Sequence, residues 1–170
     1  MIPFEIRKIK YPDGKKSVKA VVSLDYAMTK GTTEKLSEIE NLFVILRKDC
    51  KKQMKKIKKN RGNAKLHWEL GDIVCKFLDE IEAREFCFVG SIQSLIDYIG
   101  LSQRDWRRHI QLRKEYPDKK MINDDIRWMY YSELMDIADI EKRKQGEELL
   151  LKGEINTREE FRDFKKGLDA

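Results

Sequence analysis

From Leu36 to Ile57 the apolar residues Leu36, Ile39, Phe43, Leu46, Cys50 and Ile57 recur in steps of three and four with one wider gap. Only a helix gathers such a set on one side, so this stretch predicts a long helix with a coiled-coil-like seam. Gly31, Thr32 and Thr33 open it, and Asn60-Arg61-Gly62-Asn63 breaks it. The seam has two outlets that the spacing leaves open: the next helix of the same chain, or its own copy in a homodimer through residues 36–57. The same helix carries the chain's basic excess. Between Arg47 and Lys65 ten Lys and Arg stand against the single acid Asp49, a local +9 in a chain of net +6, so that the rest sums to −3. A block of this kind neutralises phosphates and releases counterions, which gives sequence-independent, salt-sensitive affinity for nucleic acid. Lys48, Lys51, Lys52, Lys55, Lys56, Lys58 and Lys59 are its candidate phosphate contacts. The plainer alternative is a solvated lysine face. An anionic membrane surface fits less well, because the block lacks a bulky apolar face to insert.

A second helix is expected after the break, with Leu66, Leu70, Ile73, Phe77 and Ile81 inward and Trp68, Val74 and Leu78 on its flanks. Residues 91–116, SIQSLIDYIGLSQRDWRRHIQLRKEY, then read as helix, glycine turn and helix. Ile92, Leu95, Ile96 and Ile99 form one apolar stripe, and Gly100 stands where the chain needs a left-handed residue to stop. Ser102 caps the following helix, with Asp105 adding negative charge to its first turn. At 100° per residue, Trp106, His109, Ile110 and Arg113 share one side, while Arg104, Arg107, Arg108 and Gln111 share the other. Arginine can make paired hydrogen bonds to guanine in the major groove and glutamine to adenine. Gln103, Arg104, Arg107, Arg108 and Gln111, on a recognition helix over 103–115, are therefore the candidate readers of double-stranded DNA. A glycine-cornered helical pair also serves as plain scaffolding, and both readings stand at this point.

Before the long helix, Phe4 to Ile9 and Val18 to Val22 flank Pro12-Asp13-Gly14, which predicts a small β-hairpin over 1–30. After Tyr116-Pro117, a loop to Asp125 leads to short helices: one with Trp128, Tyr131, Leu134 and Met135, one from Asp139 to Lys152 ending at Gly153, and one opened by the capping box Thr157 to Glu160. The expected fold class is thus mainly α: an N-terminal hairpin (1–30), a long basic helix (31–62) and a helical domain (63–170) containing the helix-turn-helix. With 39% charged residues and no apolar run near the ~20 residues that span a bilayer, no membrane segment is expected. Nor does the start resemble a secretory signal, and a cytoplasmic location is the expectation. Cys50, Cys75 and Cys87 are odd in number and lack metal-ligand spacing, so reduced thiols are expected, with no metal and no cofactor.

His67-Trp68-Glu69-Leu70-Gly71-Asp72-Ile73, Arg107-Arg108 with Tyr116-Pro117, Ile126 to Leu134 and Gly153 to Phe161, taken in order, resemble a known module. The resemblance is to the helical N-terminal domain of YhcG-type proteins, which in that family precedes a PD-(D/E)XK-like nuclease domain. It spans about residues 64 to 165. The order of helices is also similar to the DNA-binding part of ParB-like partition proteins. Both resemblances imply DNA association. A strand-rich nuclease half is not expected after residue 165, a departure from the family, so the expectation is DNA binding on behalf of a separate effector such as a nuclease, or as a stand-alone regulator.

Catalysis is not expected. His67 and His109 lie on separate helices without a serine or cysteine in a nucleophile setting. Pro117-Asp118-Lys119-Lys120 looks like a nuclease PD motif, but that chemistry needs a second carboxylate and a lysine on adjacent strands to hold a metal. The surroundings are helical. A protein-interaction adaptor that recruits a larger enzyme is the alternative from another class. RNA is a third, without the aromatic stacking pattern of single-strand readers.

Overall fold

The computed structural model describes residues 2–6, 20–24, 32–84, 86–88 and 93–168. Helix dominates: α1 (Thr32–Lys59), α2 (Ala64–Ala83), α3 (Gln93–Ile99), α4 (Gln103–Glu115), α5 (Trp128–Leu134), α6 (Ile140–Leu151) and α7 (Arg158–Leu168). β1 (Ile2–Ile6), β2 (Ala20–Leu24) and β3 (Phe86–Phe88) are short strands, with β2 antiparallel to both neighbours. The turn expected at Pro12-Asp13-Gly14 lies outside the described residues. Among the described residues no helix is long and apolar enough to cross a membrane.

Contacts divide the chain into two compact units, residues 1–52 with 72–107 and residues 53–71 with 108–170. The limits fall inside α1, α2 and α4. In the first unit the middle of the α1 seam packs within the chain. Phe43, Leu46 and Cys50 are buried, and the Phe43 ring meets Phe77 edge-on at 5.1 Å and Tyr98 at 6.0 Å. Those three side chains are therefore not on offer to a second copy. Leu95, Ile96 and Ile99 of α3 and Trp106 of α4 are buried as well. α3 ends because Gly100 takes φ +79°, a left-handed conformation that costs other residues a clash at Cβ. Ser102 Oγ then accepts from the Asp105 amide at 3.0 Å and donates to its carboxylate at 2.7 Å, closing the first turn of α4.

The core of the second unit is Ala64, Trp68, Leu112, Tyr116, Ile122, Ile126, Tyr131, Leu134, Met135, Ile137, Ile155 and Phe161. Trp68, expected on a flank of α2, is central: it is buried, and its indole N–H donates to the Tyr116 carbonyl at 2.6 Å. Ile73, expected inward, is only half-buried and lines a groove of the first unit. The apolar period alone ranked them wrongly, because a broad indole needs a hydrogen-bond acceptor as well as a dry place. α2 and α4 touch backbone to backbone at Gly71, where a Cβ would stand 2.1 Å from the His109 carbonyl oxygen. The expected loop after Pro117 holds a 3₁₀ turn over Lys119–Met121, capped by the Asp118 side chain, and buries Ile122. Asp139 caps α6, and the capping box of α7 is complete: Thr157 Oγ1 accepts from the Glu160 amide at 3.2 Å, and Glu160 accepts from the Thr157 amide at 3.0 Å.

Candidate nucleic-acid interface

α1 separates its two sides cleanly. On a 100° helical wheel the seven candidate lysines, Lys48, Lys51, Lys52, Lys55, Lys56, Lys58 and Lys59, fill an arc of roughly 160° opposite Phe43, Leu46 and Cys50. All seven are exposed. Among the described residues only Lys56 has an ion-pair partner, Glu69, at 3.8 Å. Eleven residue steps at 1.5 Å place this cationic stripe over about 16 Å, several times the spacing between successive charges of duplex DNA.

α4 also keeps the two sides that the sequence assigns to it, but the outer side is not uniform. Trp106 and His109 are buried, and the Arg113 guanidinium lies over the Trp68 ring at 5.0 Å. Gln103, Arg104 and Arg107 are exposed. Arg108 and Gln111 are half-buried and held by residues at the end of α5. Arg108 Nη1 lies 2.6 Å from Asp136 Oδ1, and Gln111 Nε2 donates to the Met135 carbonyl at 2.8 Å. The carboxylate that takes Arg108 is doubly engaged, since Lys165 Nζ reaches its other oxygen at 3.3 Å. Burial works to raise the Asp136 carboxyl, but the Arg108 hydrogen bond and charge outweigh it and hold the group below its ordinary value.

The structure also gathers residues that sequence spacing left apart. His67 Nδ1 and His109 Nε2 lie 2.9 Å apart, both rings buried, although the residues are 42 positions apart in sequence. Their planes differ by 6° with centroids 5.1 Å apart. A nitrogen contact so much shorter than the centroid distance puts the rings edge to edge, sharing a hydrogen bond, rather than face to face. His67 Nε2 lies 3.1 Å from the Arg61 carbonyl, which only accepts. The carbonyl therefore places a proton on Nε2, and the direction of the Nδ1–Nε2 hydrogen bond follows from the tautomer of the pair. Trp128 covers the pair, its ring 4.1 Å from His67 and 5.4 Å from His109 with nearly parallel planes. The amide of Trp128 donates to the Gly62 carbonyl at 2.8 Å, which fixes the start of α5 there.

Nothing here assembles a metal centre: among the described residues no three His, Cys, Asp or Glu come together as a ligand set. Asp118 spends its carboxylate on the Lys120 amide at 2.8 Å, and Lys119 pairs with Glu69, so the Pro-Asp-Lys-Lys stretch is a helix-capping turn. Cys50 is a buried free thiol. Burial first, then the Asp49 charge, pushes the Cys50 thiol up to about 12, which makes it a packing residue rather than a nucleophile. Comparison of the chain with protein-family models, curated proteins and solved structures found no match.

Proposed function

We propose that this chain is a non-enzymatic double-stranded DNA-binding protein in which α1 contacts phosphates and the start of α4 approaches base edges. The observation that carries the reading is the seven-lysine arc of α1, exposed along its length and almost without acidic partners among the described residues. In this reading α3, Gly100 and α4 form a helix-turn-helix, and Gln103, Arg104 and Arg107 are its exposed polar row. β1 and β2 are then the arms of the N-terminal hairpin. Binding duplex DNA for an effector such as a nuclease, or within a defence or partition system, is the role that suits a chain of this kind.

The test is a division of labour between two variants. Arg107→Ala should cost about 1–3 kcal/mol on a preferred duplex and little on random sequence, whereas Lys55→Ala should weaken every duplex alike and flatten the salt dependence by about one counterion. Equal losses on all sequences for both variants refute the division.

One observation favours the adaptor reading. A groove of about 330 Å³ in the first unit is lined by Leu42, Ile45, Ile73 and Phe77 between Asp49, Asp72 and Glu80, and Ile45 is 53% exposed. A partner's apolar side chain would fit it. Capture of a protein partner by a chain that shifts no duplex at low salt would favour that role.

A further inference from the structure

We infer that Asp136 is a positioning residue for DNA recognition, fixing Arg108 of α4 as a base-reading fork. The inference rests on the proposed duplex binding and names one determinant of its specificity. Arg108 differs from Arg104 and Arg107 in being anchored: its guanidinium is 2.6 Å from Asp136 Oδ1, and its side chain is 21% exposed. The anchor is itself fixed, because Lys165 holds Oδ2 at 3.3 Å and also reaches Glu133 at 3.0 Å. One helical turn along, Gln111 is tied to the Met135 carbonyl, so α5 and the residues just after it steady this stretch of α4.

Arginine has five N–H donors in a rigid fork, and the 2.6 Å contact engages one nitrogen, which leaves donors for a ligand. Holding the side chain in place removes rotamer entropy before binding, which matters most for a bidentate base contact with strict geometry and least for a phosphate contact. The local charge agrees. Arg108, Lys165, Arg158 and Arg162 outweigh Asp136 and Glu133 by two positive charges, so the buttress does not turn this part of α4 acidic.

The experiment selects a preferred duplex from a random pool with the full chain. It then measures affinity on that duplex and on a scrambled one for wild type, Asp136→Asn, Arg108→Ala and the double variant. Arg108→Ala is expected to reduce the preferred-to-scrambled ratio about tenfold. Asp136→Asn should reduce it to a similar degree without weakening binding to the scrambled duplex, and the double variant should go no further. Asp136→Glu, which restores the carboxylate, should recover part of the ratio, and far-ultraviolet circular dichroism checks that each variant is folded. A ratio untouched by Asp136→Asn overturns the inference. So does stronger binding to both duplexes alike, which would make Asp136 a mask, and so do losses that add in the double variant. Salt-sensitive binding with an unchanged ratio removes this inference alone, whereas a wild-type chain with no duplex affinity removes the proposed function and this inference with it.

Discussion

Replacing Gly71 with alanine sets two opposed effects on one helix. Alanine is favoured over glycine inside a helix by about 0.8–1.0 kcal/mol, so a substitution with room to spare would stabilise α2. Room is what this position lacks. The added Cβ would stand 2.1 Å from the His109 carbonyl oxygen, 2.8 Å from the carbonyl carbon and 3.2 Å from Arg113 Cβ, where ordinary contact begins at 3.4 Å. The shortfall against the oxygen is about 1.3 Å, and the obstacle is backbone, which has no rotamer to turn away. Overpacking of this sort costs about 1–3 kcal/mol. A displacement that large also breaks the 2.9 Å His67–His109 hydrogen bond, a further loss of about 1 kcal/mol. Set against the helix gain, the net effect is a destabilisation of about 1–3 kcal/mol. At this chain length that lowers the melting temperature by about 3–10 °C, read by far-ultraviolet circular dichroism on a thermal ramp. A Gly71→Ala chain that melts at or above the wild-type temperature would show that α2 and α4 do not touch there, and the helix propensity would then act alone.

His109→Ala removes the partner of His67 and leaves a buried cavity beneath Trp128, so the unfolding free energy from a urea titration should fall by about 2–4 kcal/mol. A loss under 0.5 kcal/mol would mean that the pair is not formed. Glu133 predicts a pH dependence. Burial tends to raise its carboxyl, but hydrogen bonds from Lys165 and Arg158 prevail and hold it below the ordinary 4.5. A folded value below the unfolded one gives stability that is complete above about pH 4.5 and is lost as pH falls through the folded value. Glu133→Gln should therefore lose less stability than wild type between neutral and acid pH, and parallel pH–stability curves for the two proteins would contradict this.

Local features of the fold were legible in the sequence, because one segment holds all the information they need. The glycine stop at Gly100, the Ser102 cap, the Thr157–Glu160 capping box and the two sides of α4 each depend on residues within a few positions of one another. Phe43, Leu46 and Cys50 were legible as one buried side of α1, yet periodicity carries no information on what covers them. Phe77 and Tyr98 do so, each more than thirty positions away. Tertiary chemistry was illegible for the same reason. Nothing in the spacing of His67, His109 and Trp128 announces that three rings meet, although both histidines sit on the apolar sides of their helices. Asp136 lies 28 positions from Arg108 and looks like one acid among many until α5 brings it alongside.

The basic side of α1 bears the central claim, and its most direct measurement is the affinity of the full chain for a random duplex as salt is raised from about 50 to 200 mM, a range in which six to ten phosphate contacts lose about 10³–10⁵ in affinity. With the seven exposed lysines engaged, log K should fall against log salt with a slope of about −6, and replacing Lys51, Lys55 and Lys58 together by alanine should bring it to about −3.5. A flat salt dependence, or an identical slope in the triple variant, would show that the lysines of α1 face only water.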